Sequence, residues 1–180
     1  MALDPRDAIW NETYDLQYNA GFTEEIEKAL LVRWVWFDSI TRIAVAISSA
    51  GAALAGLVFW KNADYTYLWP LFTSASTLLA IISQQLHVVD KVKRHTAAAT
   101  EMGSIAFDSG TLIVRMKVNP QFPIADFEKK LLVLRGRYSL EMKRVQHDLL
   151  LTKGVQNRTQ AKVDKATATT RQQESQNVRR

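Results

Sequence analysis

The sequence predicts an all-α membrane protein, in which a two-helix transmembrane hairpin continues into a cytoplasmic helical bundle and the chains form oligomers. Three observations predict the hairpin. Residues 43–60 and 67–89 contain no Asp, Glu, Lys or Arg, and at 1.5 Å per residue the first makes a helix of about 27 Å, close to the roughly 30 Å core of a bilayer. The intervening "KNADYT" allows only a tight turn. Aromatic rings, which favour membrane interfaces, cluster near both ends of the hairpin.

The charges around the hairpin predict its orientation. The turn holds one basic residue, Lys61, whereas its open ends are flanked by Lys28, Arg33, Arg42, Lys91, Lys93 and Arg94. By the positive-inside rule, both termini are cytoplasmic. Acidic residues interrupt the N-terminal segment, so we expect no cleavable signal peptide. The alternative to a membrane hairpin is a buried helical hairpin inside a soluble bundle.

Residues 1–42 are predicted to form N-terminal cytoplasmic or interfacial helices. Trp10, Tyr14 and Tyr18 are spaced four apart and therefore share one side of a short helix. Gly21 followed by Thr23 indicates a helix stop and a new N-cap. The helix that starts there is expected to continue into the first span.

Residues 90–153 are predicted to form the cytoplasmic helical region. The second span should continue directly into it, because no Gly or Pro occurs from Leu71 to Met102. The segment that follows is ambiguous. Gly110 is a candidate kink, and the β-branched run Thr111–Val118 is compatible with a strand, but no second strand is apparent and helix is preferred.

A third cytoplasmic helix is predicted from Ile124 to near Lys153, after Pro120 and Pro123. Its apolar residues recur at three- and four-residue steps and define a cytoplasmic stripe, which consists of Phe127, Leu131, Leu134, Tyr138, Met142, Val145 and Leu149. Such a stripe packs against another helix of the same chain or of another subunit; the alternative is a ligand groove. Residues 154–180 contain no aromatic residue and are predicted to be a flexible basic tail.

Polar residues on the second span share about one third of the helix circumference; they are Thr73, Ser76, Thr77, Ser83, Gln84 and His87. One hairpin cannot hide them from lipid, so they should face another helix or water. They either bond to neighbouring helices as interhelical contacts or line a pore between several hairpins. On the first span, Ser48, Ala52 and Gly56 are four apart and predict close helix packing. Asp38 and Arg42 are spaced to pair.

The sequence carries no recognisable catalytic motif. It lacks a glycine-rich phosphate loop, a nucleophile elbow and any cysteine, and its three histidines show no metal-ligand spacing. We therefore expect no enzymatic activity, no cofactor and no metal. Nucleic acid is not an expected partner either, because the basic tail has no aromatic ring that could stack on a base.

Residues 10–152 combine a helical N-terminal lead, two spans with a very short turn, and a long second helix that emerges as "HVVDKVKRHTAAATEMGSIAFDSGTLIVRMK" before a further cytoplasmic helix. This order resembles that of the SLATT-type (SMODS- and SLOG-associating) two-transmembrane effectors of bacterial defence systems. The resemblance implies an oligomeric effector of the bacterial inner membrane that opens a pore and depolarises the host in antiviral defence. It also implies gating through the cytoplasmic helices, by a nucleotide second messenger or a nucleotide-sensing partner protein. The implied partners are therefore the lipid bilayer, further copies of the chain and that signal.

Two other functions remain open. A non-conducting membrane scaffold or adaptor would use the cytoplasmic helices to recruit partners. A phage holin-like protein would also be small and basic at its end, but holins seldom need long cytoplasmic helices with packed stripes. Replacing Thr77 and Gln84 by Leu should change the conductance of a pore and leave the recruitment by a scaffold intact.

Overall fold

The computed structural model describes residues 4–58, 68–119, 121–144 and 148–177. Within these residues the chain is all-helical, which confirms the all-α part of the prediction. Its five helices are α1 (Pro5–Val58), α2 (Leu68–Gln85), α3 (Val88–Val118), α4 (Ile124–Arg144) and α5 (Lys153–Asn177). The chain divides into two compact units: unit 1 comprises residues 1–30 and 95–180, and unit 2 comprises residues 31–94.

The predicted membrane hairpin is wrong, because no helix among the described residues is both long enough and apolar enough to cross a bilayer. Uncharged polar side chains make α2 less apolar than its lack of charge suggests, since its 18 residues include five Ser or Thr and two Gln. The predicted multi-pass localisation in the inner membrane is therefore wrong as well. The predicted turn at residues 61–66 lies outside the described residues.

Helices α1, α3 and α4 form the core of unit 1, since each presents apolar side chains at three- and four-residue steps. The core consists of Leu16, Ala20, Met102, Ile105, Leu112, Phe127, Leu131 and Leu134. Glycine brings α1 and α3 close together: a Cβ on Gly103 would lie 2.8 Å from Glu24 Oε1, and one on Gly110 would lie 2.8 Å from Gln17 Nε2. Gly110 thus permits close packing and does not end the helix. The preference for helix at Thr111–Val118 is confirmed.

The break predicted at Gly21 is absent, and α1 is continuous through it. Thr23 does not act as a cap: its hydroxyl donates to the carbonyl oxygen of Asn19 at 2.8 Å, four residues back in the same helix. A helix that packs along much of its length tolerates an interior glycine, because tertiary contacts outweigh a propensity cost of about 1 kcal/mol.

The predicted uninterrupted helix from the second span into the cytoplasmic region is instead broken between α2 and α3. His87 takes the left-handed conformation with a φ of 49°, which a non-glycine residue adopts at a cost of about 1–3 kcal/mol. Its amide donates to the carbonyl of Gln84 at 3.1 Å, and its own carbonyl accepts from the amides of Asp90 and Lys91 at 3.0 Å. The break therefore ends one helix and starts the next without Gly or Pro.

The segment predicted as a flexible tail forms α5 and packs in unit 1. Val155 and Thr159 are buried, the Tyr18 hydroxyl donates to Asp164 Oδ1 at 2.7 Å, and Lys162 pairs with Glu25. A few small side chains and polar contacts to α1 are enough to dock the helix, although the segment has no aromatic residue. The third helix also ends earlier than predicted: α4 ends at Arg144, and a turn precedes α5.

Candidate interaction surface and buried charged cluster

Unit 2 leaves large apolar side chains on its surface. On α1 they follow one another at steps of three and four residues and therefore share one face, which consists of Val32, Trp36, Ile40, Ile43 and Ile47. Trp36 is 67% exposed and Ile47 is 63% exposed. A second set on α2 consists of Leu71, Leu78, Ile81 and Ile82. We call these two sets the apolar faces of unit 2.

Few of the side chains described in unit 2 are buried. Among its described side chains, those that are buried are Trp34, Thr41, Ser76 and Val88. The Trp34 ring meets Phe37 edge to face at 6.1 Å, and Lys91 Nζ lies 6.0 Å from its centroid. Two of these four residues are polar, so most of the large apolar side chains described in unit 2 are at least partly exposed.

The residues of the predicted polar stripe do not share one environment. Ser76 is buried, and Thr77 is exposed. Ser83, Gln84 and His87 line a groove of about 510 Å³ within unit 2, together with Asp38, Thr41 and Arg42. The side chain of Thr73 lies outside the described residues. The pore-lining role of the six residues of the polar stripe stays a prediction.

The Asp38–Arg42 pair is confirmed, with 2.9 Å between Arg42 Nε and Asp38 Oδ2. The predicted packing residues Ser48, Ala52 and Gly56 lie in α1, but their side chains are outside the described residues.

The cytoplasmic stripe divides in two. Its first part enters the core of unit 1: Phe127, Leu131 and Leu134 are buried, and Tyr138 packs against them partly exposed. Its last part does not, because Met142 and Leu149 are exposed; Val145 lies outside the described residues. The stripe therefore serves as core packing for about three turns of α4, from Phe127 to Tyr138, and not for the last turns of the helix.

Unit 1 contains a buried cluster of charged groups that sequence reasoning missed. His95 in α3 lies between two carboxylates, with Nδ1 at 2.5 Å from Glu27 Oε2 of α1 and Nε2 at 3.1 Å from Asp148 Oδ2 of the turn before α5. The three residues are only 3%, 2% and 8% exposed, respectively. An imidazole can donate to a carboxylate from both nitrogens only when it is protonated. The geometry therefore fits an imidazolium held by two carboxylates.

Burial by itself would lower the pKa of His95, because it disfavours the charged form. The hydrogen bond and the charge of Glu27, followed by those of Asp148, outweigh burial and raise the pKa of His95 above its ordinary value of 6.5. The cluster ties three segments that are distant in sequence, since Glu27 and His95 are 68 residues apart. One signal could have pointed to it: Glu27 continues the three- and four-residue series of buried positions Thr13, Leu16, Ala20 and Thr23, and a charge in a buried series calls for a partner.

A second ionic network joins α3 to α4. Arg137 Nε donates to Glu101 Oε1 at 2.8 Å, Nη1 donates to Asp108 Oδ2 at 2.8 Å, and Nη2 donates to Ser104 Oγ at 3.0 Å. The hydrogen bonds to Glu101 and then to Asp108 raise the pKa of the guanidinium above its ordinary value. This network is partly exposed and fixes the position of α4 along α3.

Neither cluster presents a site for chemistry on a substrate. Both nitrogens of His95 are engaged by buried carboxylates, so the imidazole has no free lone pair. Across residues 4–58, 68–119, 121–144 and 148–177, no group of three or more His, Asp or Glu side chains is placed to hold a metal ion. Among the described residues, the apolar faces of unit 2 and the surface grooves are further surfaces that a ligand or partner could contact. Comparison of the chain with protein-family models, with curated proteins and with solved structures finds no match.

Proposed function

We propose that the chain is a homo-oligomeric scaffold protein that assembles through the apolar faces of unit 2. The observation that carries the proposal is the α1 face, where five large apolar side chains share one side of a helix and remain exposed. Contiguous apolar surface of this kind marks interaction sites. Covering a large aliphatic or aromatic side chain that would otherwise face water is worth about 1.5–3 kcal/mol, so burial of the face would stabilise an assembly substantially.

The spacing of the face favours a second copy of the chain as its cover. Steps of three and four residues make a stripe that packs against a stripe of the same kind, and a two-fold interface brings identical surfaces together. Trp36 lies within the face, and tryptophan is enriched among the residues that dominate binding energy. Arg42, which pairs with Asp38 and is still 71% exposed, supplies the charged rim that protein interfaces have around an apolar centre.

Self-association is the part of the sequence-based prediction that we carry forward. A pore requires helices that cross the bilayer, so we retain the predicted oligomer and not the predicted pore. A scaffold needs no catalytic group, which agrees with the expectation of a non-enzymatic protein. It requires a stable body and a surface that joins copies, and these requirements correspond to the core of unit 1 and the apolar faces of unit 2.

The test is the mass of the full chain in solution, measured by sedimentation velocity and light scattering over a range of concentrations. We expect a dimer or a larger closed oligomer for the native chain. The double variant Trp36→Lys/Ile43→Lys places two charges on the α1 face and should be monomeric. Phe107→Lys is the control, because Phe107 is also a strongly exposed large apolar residue but lies in unit 1, and it should leave the oligomer intact.

Two outcomes would contradict the proposal. The first is a native chain that remains monomeric at every concentration. The second is a monomer that floats with lipid vesicles and loses this ability in Trp36→Lys/Ile43→Lys, since the same face would then be assigned to lipid and not to a second copy. Circular dichroism of each variant confirms that the helices are retained.

A further inference from the structure

A second groove lies within unit 1, between α3 and α4, and has a volume of about 620 Å³. Asp108, Leu112 and Arg115 line it from α3, and Lys129, Leu134 and Arg137 are among the residues that line it from α4. Phe122 closes it on the side of the loop that joins the two helices. Its size falls within the roughly 300–1,000 Å³ of small-molecule sites.

The charge of the groove favours an anion. Arg115 and Lys129 are exposed, and neither forms an ion pair with a described residue. Lys130 places its ammonium 5.4 Å from the centroid of the Phe122 ring. Arg137 is held in place by Glu101 and Asp108, which leaves Asp126 as the remaining acidic side chain of the lining. Apart from the Arg137 network, the lining therefore contains three cations, Arg115, Lys129 and Lys130, and one carboxylate, Asp126.

The floor of the groove is apolar. Leu112 and Leu134 are buried beneath it as members of the unit 1 core, and the Phe122 ring packs on Phe127 with 4.6 Å between centroids. The Lys130 ammonium lies over the Phe122 ring, so a cation and an aromatic ring lie side by side in the lining of the groove. A ligand that fits this lining carries an anionic group for the cations and an apolar or flat body for the floor.

We propose that the α3–α4 groove of unit 1 binds an organic phosphate of roughly nucleotide size, with its phosphate on Arg115, Lys129 and Lys130 and its apolar body on Leu112, Phe122 and Leu134. Guanidinium and ammonium groups form the strong, charge-assisted hydrogen bonds that phosphate oxygens accept. Free nucleotides and soluble phospholipids share this chemistry, and the experiment separates them. The groove is distinct from the apolar faces of unit 2, so this proposal does not depend on self-association.

Titration calorimetry of the full chain tests the site with three probes: ADP, dihexanoyl phosphatidic acid and inorganic phosphate. We expect one of the two organic phosphates to bind at least about tenfold more tightly than inorganic phosphate, because only an organic probe covers the floor. Arg115→Gln and Lys129→Gln should each weaken that binding by on the order of tenfold, since each removes a charged hydrogen-bond donor. Val133→Asp, which places a negative charge at an exposed lining position, should abolish it.

Lys143→Gln is the matched control, because it removes one exposed cation of α4 outside the groove and should leave the affinity unchanged. Thermal unfolding of each variant verifies that the fold is kept. Three results would overturn the proposal: no binding of either organic probe, equal binding of inorganic phosphate, or affinity that is unchanged in Arg115→Gln/Lys129→Gln. The calorimetry is performed under conditions in which the oligomeric state does not change. A lack of phosphate binding would therefore not affect the result of the self-association test.

Discussion

The two units of this chain differ in how many of their described apolar side chains they bury. Unit 1 has a core of eight buried side chains between three helices, with ion pairs and a docked α5 around it, although it also exposes large apolar residues such as Phe107, Val118 and Leu149. Among its described side chains, unit 2 buries only Trp34 and Val88 of its apolar residues and leaves the two apolar faces in contact with solvent. Burial therefore distinguishes the two units, whereas composition alone does not.

The largest expected effect tests this contrast directly. Phe127→Ala removes a ring that is almost fully buried in unit 1 and should lower the free energy of unfolding by about 3–5 kcal/mol. Trp36→Ala removes a larger ring from the exposed face of unit 2 and should change the stability of the monomer by less than about 0.5 kcal/mol. Urea denaturation at high dilution measures both. Equal losses in the two variants would show that unit 2 buries its tryptophan face within one chain, and the contrast would fail.

The buried cluster gives unit 1 a pH dependence that the apolar faces lack. Because the pKa of His95 is raised in the folded state, its contribution to stability is complete below about pH 6.5 and is lost as pH rises through the folded value. Urea denaturation from pH 6 to pH 9 should therefore show falling stability. His95→Gln should flatten that part of the profile, and a profile that keeps its full slope in this variant would exclude His95 as the source.

Glu27→Gln separates the charge of the cluster from its shape. The variant keeps a polar group of nearly the same size beside His95, but it removes one of the two carboxylates that hold the imidazolium, and breaking a buried pair costs about 3 kcal/mol. We expect that loss near pH 6 and a smaller one near pH 9, where the imidazole is less protonated. Hydrogen exchange of the α1 and α3 amides locates the effect, since we expect lower protection near Glu27 and His95. Unchanged protection there would argue against the cluster as an interaction that holds these two helices together.

Particular residues show how much the sequence could predict. The steps that place Phe127, Leu131 and Leu134 on one side of α4 are local, and they were sufficient to predict that this side packs against another helix. The lack of charge that suggested a membrane hairpin was also local. The Ser, Thr and Gln residues of α2 were interpreted as a polar stripe within a span, but the helix that they form is not apolar enough to be one. The helical series that includes Glu27 marks one member of the His95 cluster, but Glu27 and Asp148 lie 68 and 53 residues from His95, and no local pattern identifies these contacts. The sequence shows that the residues of the apolar faces are apolar, but it does not show that these side chains are exposed in the folded chain.

The break at His87 offers a smaller test, located in unit 2. His87→Gly places the residue that tolerates a positive φ at the break and should stabilise the chain by roughly 0.5–1 kcal/mol. His87→Val puts a β-branched side chain there and should destabilise it by about 1–3 kcal/mol. Thermal unfolding measures both changes. A gain in stability for Val would indicate that α2 and α3 join into one helix, as the sequence alone predicted.

The smallest expected effect compares two glycines within the helices of unit 1. Gly136 in α4 has open space where a Cβ would lie, so Gly136→Ala should gain the helix propensity of alanine, about 0.5–1 kcal/mol. In Gly103→Ala, the new methyl group would meet Glu24 Oε1 at 2.8 Å and displace a carboxylate that pairs with Lys28. The gain should therefore be smaller or absent. Chemical denaturation of the two variants side by side measures the difference, and an equal gain at both positions would mean that the close approach of α1 and α3 at Gly103 is not a constraint on the fold.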